Sequence, residues 1–193
     1  MNTKKAVIIS RIYDVVEVIS IAVVVVVLSF LFFFRVSRVN GTSMYDTLEN
    51  GENVLISNMF YTPKSGDIVV FQQSGGFFDE PLVKRVIAVG GQKLEIDFNT
   101  WTVYVDGVPL VENYVTRDGS KVMHSDDYYS MYAGLLDESG AMTIPEGYVF
   151  VMGDNRNHSS HSRFSGVGLV NTEDIMGKLI FRLTPIGKIG TVE

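Results

Sequence analysis

The chain of 193 residues has no cysteine. That excludes disulfides, thiol nucleophiles and cysteine-bound metals, and it is compatible with an oxidising compartment. Histidine is scarce as well: His124, His158 and His161 are the only ones. His158 and His161 stand in a loop-like stretch without helical His-x-x-x-His spacing or an acidic cluster, so no metal-ligand pattern emerges. Basic residues are outnumbered, with 16 Lys and Arg against 22 Asp and Glu, for a net charge of −6. Such a chain carries no electrostatic footprint for nucleic acid. Neither an internal repeat nor a linker long enough to separate two independent globular domains is present.

Charge is absent altogether from Val18 to Phe34, where Ser20 and Ser29 are the only polar residues. Seventeen residues at about 1.5 Å each span roughly 25 Å of helix, and Val15 and Val16 lengthen the stretch. Five consecutive valines followed by a Phe cluster leave no polar face for a buried core helix. No Ala-x-Ala-like exit follows, since the chain continues Phe34-Arg35-Val36-Ser37-Arg38, which points to an uncleaved anchor rather than a signal peptide. The expected organisation is a cytoplasmic N-terminus at 1–14, a transmembrane anchor at 15–34 and an extracytoplasmic domain at 35–193. Lys4, Lys5 and Arg11 ahead of the anchor give the inward N-terminus. They suit the lipid bilayer's anionic head groups, as do Arg35 and Arg38. Residues 1–38 are net +3, leaving −9 for the other 155.

Beyond the anchor the pattern is β-rich. Strands are expected at "NVLISNMF", at "IVVFQQ" (68–73), at "LVKRVIAV" (82–89), at "GYVFVM" (147–152) and in "DIMGKLIFRL". "WTVYVDGVPLVENY" reads as a hairpin turning at Asp106-Gly107. Residues 116–143 show little periodicity and read as an insertion, with a short helix over 128–136. The fold class is mainly β behind a single N-terminal helix.

Two residues in this frame carry chemistry. Lys84 lies in a strand whose faces are both apolar: Leu82, Val86 and Ala88 share its side, and Val83, Ile87 and Val89 share that of Arg85. Burial there disfavours the ammonium and lowers the pKa, converting lysine into a usable base. Ser43 sits in the small-residue turn "VNGTSMYDTL" (39–48) a few residues after the anchor. No histidine lies near it in sequence, so Ser43 and Lys84 form a candidate nucleophile and base. The third constellation is "GDNRNHSSHSRFSG" (153–166). It follows an apolar strand, and Asp154 is expected to pair with Arg156 or Arg163 to stiffen a loop beside the lysine.

These segments, in this order, resemble type I signal peptidases, the membrane-anchored serine proteases that remove signal peptides from exported proteins. "GTSMYDTL" resembles the nucleophile box, "GDIVVF" the next, and "LVKRVIAVGGQ" the lysine box. "VYVDGVPL" and "IPEGYVFVMGDNRNHSSHSR" are similar to the segments that follow. The resemblance implies Ser43 as nucleophile, Lys84 as general base and the Ser43 N–H in the oxyanion hole. Gly41, Thr42 and Met44 would help position substrate or oxyanion, with only backbone available at Gly41 where some members have a serine. It implies that Ser159 orients the lysine amine and that Arg85, Asp154, Arg156 and Arg163 stiffen the site. The implied fold is a domain of coiled antiparallel sheets. The implied partners are exported preproteins with small residues at the first and third positions before the cut, and no cofactor or metal is implied.

The chain departs from that pattern at two positions. Asp46 stands where the nucleophile box usually has proline, and a carboxylate there would raise the lysine pKa if it approached Lys84. His161 stands where the family usually has aspartate, removing a negative partner for Arg163. Ala88 to Gln92 also differ, in a turn. Such losses resemble a divergent Gram-positive branch serving surface-pilus assembly, some members of which have lost the dyad. That branch adds pilin precursors as partners and an assembly factor as the alternative function.

Overall fold

The structure, a computed structural model, describes residues 3–117 and 119–192. It divides into two units, Met1–Arg35 and Val36–Glu193. In the first, helix α1 runs over Thr3–Phe33. Its stretch Val7–Phe33 is long and apolar enough to cross a membrane. The helix starts well before Val15, because residues 3–14 hold no glycine or proline to stop it and include good helix formers such as Ala6 and Arg11. Ser20 and Ser29 return their hydroxyls to the carbonyls of Val16 and Val25, each at 2.8 Å, so neither leaves an unmet donor on an apolar surface.

The strands follow in order: β1 (Phe34–Arg38), β2 (Asn53–Ser57), β3 (Ile68–Phe71), β4 (Leu82–Val89), β5 (Lys93–Asp97), β6 (Thr102–Val105) and β7 (Val108–Pro109). A one-turn helix α2 (Tyr128–Met131) precedes β8 (Met142–Thr143), β9 (Tyr148–Met152), β10 (Val170–Asn171) and β11 (Ile175–Arg182). Seven of these form one sheet in the order β1-β2-β11-β3-β4-β9-β10, and four form a second, β7-β6-β5-β8. The pairings among β2 to β11 are antiparallel. The expected hairpin is present: Val105 pairs with Val108, and Asp106 and Gly107 both take positive φ, as a two-residue turn of matching twist requires.

β4 holds the central position that its sequence anticipates. It pairs with β3 on one side and β9 on the other, and six of its eight residues are buried. Val83 joins the cluster of Met44, Leu48, Val54 and Ile68, while Val86 joins that of Val69, Phe71 and Val151. Both faces are therefore dry, as the continuous apolar run required.

Segment 116–143, read as an insertion, contributes to the core. Met123, Tyr128, Tyr132 and Met142 pack with Trp101, Val103 and Phe150. Its helix is one turn, shorter than the expected 128–136, since Asp127 makes no side-chain cap and Gly134 follows closely. Tertiary burial of the two tyrosines, rather than helical periodicity, holds it in place. β5 was not apparent in the sequence; its Leu94 and Ile96 point inward while the intervening positions are polar.

Candidate active site

Ser43 and Lys84, 41 residues apart, meet: the lysine Nζ lies 2.8 Å from the serine Oγ. Sheet pairing places the lysine, whose strand is in register with Val69 on β3. A turn places the serine. Gly41 opens it at φ +89°, a conformation suited to glycine, and the Gly41 N–H donates to Asn50 Oδ1 at 2.9 Å. Its backbone donor is thus used within the loop and not turned toward a substrate. Thr42 is exposed, and its carbonyl accepts from the Tyr45 N–H. Met44 is buried in the core, where it anchors the turn from beneath instead of lining an open surface.

Lys84 is 2% exposed. Its amine also donates to the Val83 carbonyl at 2.9 Å. Burial pushes its pKa down to about 8, with the Asp154 carboxylate opposing the shift. Asp46, the residue of concern, does not act on the lysine. It is exposed, and its N–H donates to the Thr116 hydroxyl oxygen at 3.1 Å. At pKa about 8, roughly one lysine in five is neutral at pH 7.4, against one in a thousand for an ordinary lysine. A neutral amine that keeps its donor on Val83 has its lone pair free for the serine proton.

The three buried arginines around this pair each have a carboxylate, though not the ones expected. Asp154 pairs with Arg85, through Nε to Oδ1 at 2.9 Å and Nη2 to Oδ2 at 2.8 Å, rather than with Arg156 or Arg163. Strand geometry explains it: Arg85 on β4 lies opposite Met152, two residues before Asp154. Arg85 also donates to the Gly66 carbonyl and lies under the Tyr114 ring, 3.8 Å from its centroid. Arg156 pairs with Glu112. Arg163 has Asp126 at 3.7 Å and donates from Nε to His161 Nε2 at 2.6 Å.

His161 is fully buried, and burial pushes its pKa down to about 3. The neutral ring accepts Arg163's N–H at Nε2, which assigns its own proton to Nδ1. His161 is therefore engaged by the arginine and does not touch the serine. Ser159, expected to orient the lysine, does not bond it: its Oγ is buried without a hydrogen-bond partner, and the Val83 carbonyl takes the lysine donor instead.

Residues outside the expected set complete the site. Asn155 donates from its N–H to the Ser43 carbonyl at 3.1 Å and from Nδ2 to the Thr42 carbonyl at 3.2 Å. The Thr47 hydroxyl donates to Asp154 Oδ2 at 2.5 Å. Gly153 allows the close approach: a Cβ there would stand 2.4 Å from the Ser43 carbonyl oxygen and 2.2 Å from Ser159 Oγ. Asn155 and Gly153 lie within the distinctive 153–166 stretch, so composition marked the neighbourhood without assigning them work. Glu112, Tyr114 and Asp126 carry no local signal.

Residues 12–184 match the family model described as signal peptidase, peptidase S26. The chain is 33% identical to a probable signal peptidase I-1 of Synechocystis sp., over 90% of this chain and 85% of that protein. It is 35% identical to signal peptidase I P of Bacillus subtilis subsp. natto (89% and 90% covered) and 34% identical to signal peptidase IB of Staphylococcus aureus (89% and 90%). A solved signal peptidase I from Enterococcus faecalis aligns over 62% of this chain and 97% of its own at 27% identity, with a TM-score of 0.47. With a model match across most of its length and relatives above 30% identity, the chain belongs to the signal peptidase family, peptidase S26.

Proposed function

We propose that the protein is a membrane-anchored serine endopeptidase that cleaves signal peptides from exported preproteins with a Ser43–Lys84 dyad. The observation that carries this reading is the 2.8 Å contact between Lys84 Nζ and Ser43 Oγ in a site dry enough to lower the amine's pKa to about 8. Neutral Lys84 takes the Ser43 proton as Oγ attacks the scissile carbonyl. The lysine then passes that proton to the departing amine, leaving an acyl-enzyme. In the second half it deprotonates the water that releases the acyl group. The Ser43 N–H stabilises the oxyanion. α1 is the anchor, with Lys4, Lys5 and Arg11 on the cytoplasmic side and residues 36–193 outside the cytoplasm.

Cleavage of a preprotein by the full-length protein in detergent tests the proposal, with Ser43→Ala and Lys84→Ala alongside. Each substitution is expected to lower kcat/KM by about 10⁴-fold. Activity surviving in either variant would refute the dyad. Running a pilin precursor beside a general secretory preprotein separates a specialised peptidase from a housekeeping one. Absence of cleavage of both by the folded protein would favour an assembly factor.

A further inference from the structure

We propose that Asp126 is a positioning residue for this reaction: its carboxylate, delivered by the 116–143 segment, holds the Arg163 guanidinium and through it the loop that grips the nucleophile. The inference rests on the peptidase reading of Ser43 and Lys84.

The chain of contacts is continuous. Asp126 Oδ2 stands 3.3 Å from His161 Nε2 and 3.7 Å from Arg163 Nε. The Arg163 guanidinium is fully buried and reaches the Arg156 carbonyl. One residue before that carbonyl, Asn155 holds both Thr42 and Ser43 by their carbonyls. Asp126 thus lies two peptide units and one guanidinium from the loop carrying Ser43.

Charge makes the same assignment. Arg85 has Asp154 and Arg156 has Glu112, so Arg163 is the remaining buried arginine of the cluster, and Asp126 is the carboxylate beside it. Burial lowers the Arg163 pKa to about 9 and Asp126 opposes that shift, so Arg163 is a cation at neutral pH. A buried cation stripped of its counter-ion is costly. The segment is also aimed. Asp126 takes φ +49°, in the left-handed region that aspartate tolerates better than most residues. Next to it the Asp127 N–H donates to the Arg163 carbonyl at 3.0 Å, and Asp127 Oδ2 accepts from the Ser165 N–H at 2.9 Å. The segment read as an insertion therefore carries the counter-charge that position 161, a histidine, does not supply.

The geometry also defines a rescue. Because His161 touches Arg163 directly, a carboxylate at 161 would reach the guanidinium without Asp126. Three full-length proteins in detergent are compared: the parent, Asp126→Asn, and Asp126→Asn with His161→Asp. Cleavage kinetics and amide hydrogen exchange across 153–163 are read for each. Asp126→Asn is expected to lower kcat about tenfold with KM nearly unchanged and to speed exchange in 153–163, and the double variant is expected to reverse both. Unchanged kcat and exchange in Asp126→Asn, or a double variant as impaired as the single, would overturn the proposal. Should Asp126→Asn fail to fold, the double variant decides: folded and active supports the role, unfolded or inactive refutes it. A parent without cleavage activity would sink the peptidase reading, whereas the exchange measurement would still report whether Asp126 holds the loop.

Discussion

Lys84 and Arg85 are adjacent on one strand and buried to nearly the same degree, 2% and 3% exposed, yet the regions around them are built on opposite principles. On the arginine side Asp154 makes two hydrogen bonds and an ion pair, and Tyr114 covers the guanidinium. On the lysine side the partners are a serine hydroxyl and a main-chain carbonyl, both neutral. Arginine, always charged, can enter a core only with a counter-ion. Lysine can enter by giving up its proton, and withholding a contact carboxylate is what leaves part of it neutral near pH 7. The site thus stiffens itself with paired cations and leaves the amine beside Ser43 without a contact carboxylate.

The sharpest way to break the contrast is to remove each cation. Lys84→Met should abolish cleavage while stabilising the fold. Lowering the lysine pKa from 10.5 to about 8 corresponds to a burial cost on the order of 3 kcal/mol. The sign follows from proton linkage. The folded pKa lies below the unfolded one, so the cost is full below about pH 8 and disappears above 10.5. Thermal melts in detergent at pH 7 should therefore favour Lys84→Met, with the gap closing as pH rises through that window; a less stable variant would contradict a desolvated lysine. Arg85→Met should do the opposite and destabilise by about 3–5 kcal/mol, because it leaves the Asp154 carboxylate buried and unpaired. A melt within a degree of the parent would show that the arginine side does not depend on pairing.

A smaller effect sharpens the electrostatics. Activity should rise roughly tenfold per pH unit below pH 8 and level off above it, as a lysine that must lose its proton requires. Since Asp154 raises the Lys84 pKa, Asp154→Asn should move the midpoint of that profile to lower pH. A flat profile from pH 6 to 9, or a midpoint displaced upward, would refute the assignment. The smallest effect is expected at Asp46. The carboxylate is exposed and absent from the lysine's electrostatic surroundings, so Asp46→Asn should change kcat/KM by less than about twofold. A larger change would place Asp46 in the site after all.

Position-by-position chemistry of this kind was only partly legible in the chain. β4 was legible because a run with two apolar faces has one comfortable place, the middle of a covered sheet. Ser43 and Lys84 were legible together because each stood in a segment resembling its family counterpart. The expected pairing of Asp154 with Arg156 or Arg163 followed nearness in sequence, and it failed because strand register brought Arg85 instead, 69 residues away. Met44 and Gly41 were assigned to substrate or oxyanion. Packing buries the first in the core, and the Asn50 side chain occupies the N–H of the second.

What the sequence determined by itself is whatever depends on composition over short distances: a charge-free run long enough to span a bilayer, alternating or continuous apolar strands, and turns at Asp106-Gly107 and Gly41. These are local because hydrophobic period and backbone preference act within a few residues. What only the tertiary structure decided is the partner of each buried charge. Glu112 reaches Arg156 across 44 residues, and Asp126 reaches Arg163 from a segment without periodicity. Pairing of this kind depends on where the folded chain excludes water, and in a low-dielectric interior an ion must have its counter-charge beside it or lose its charge.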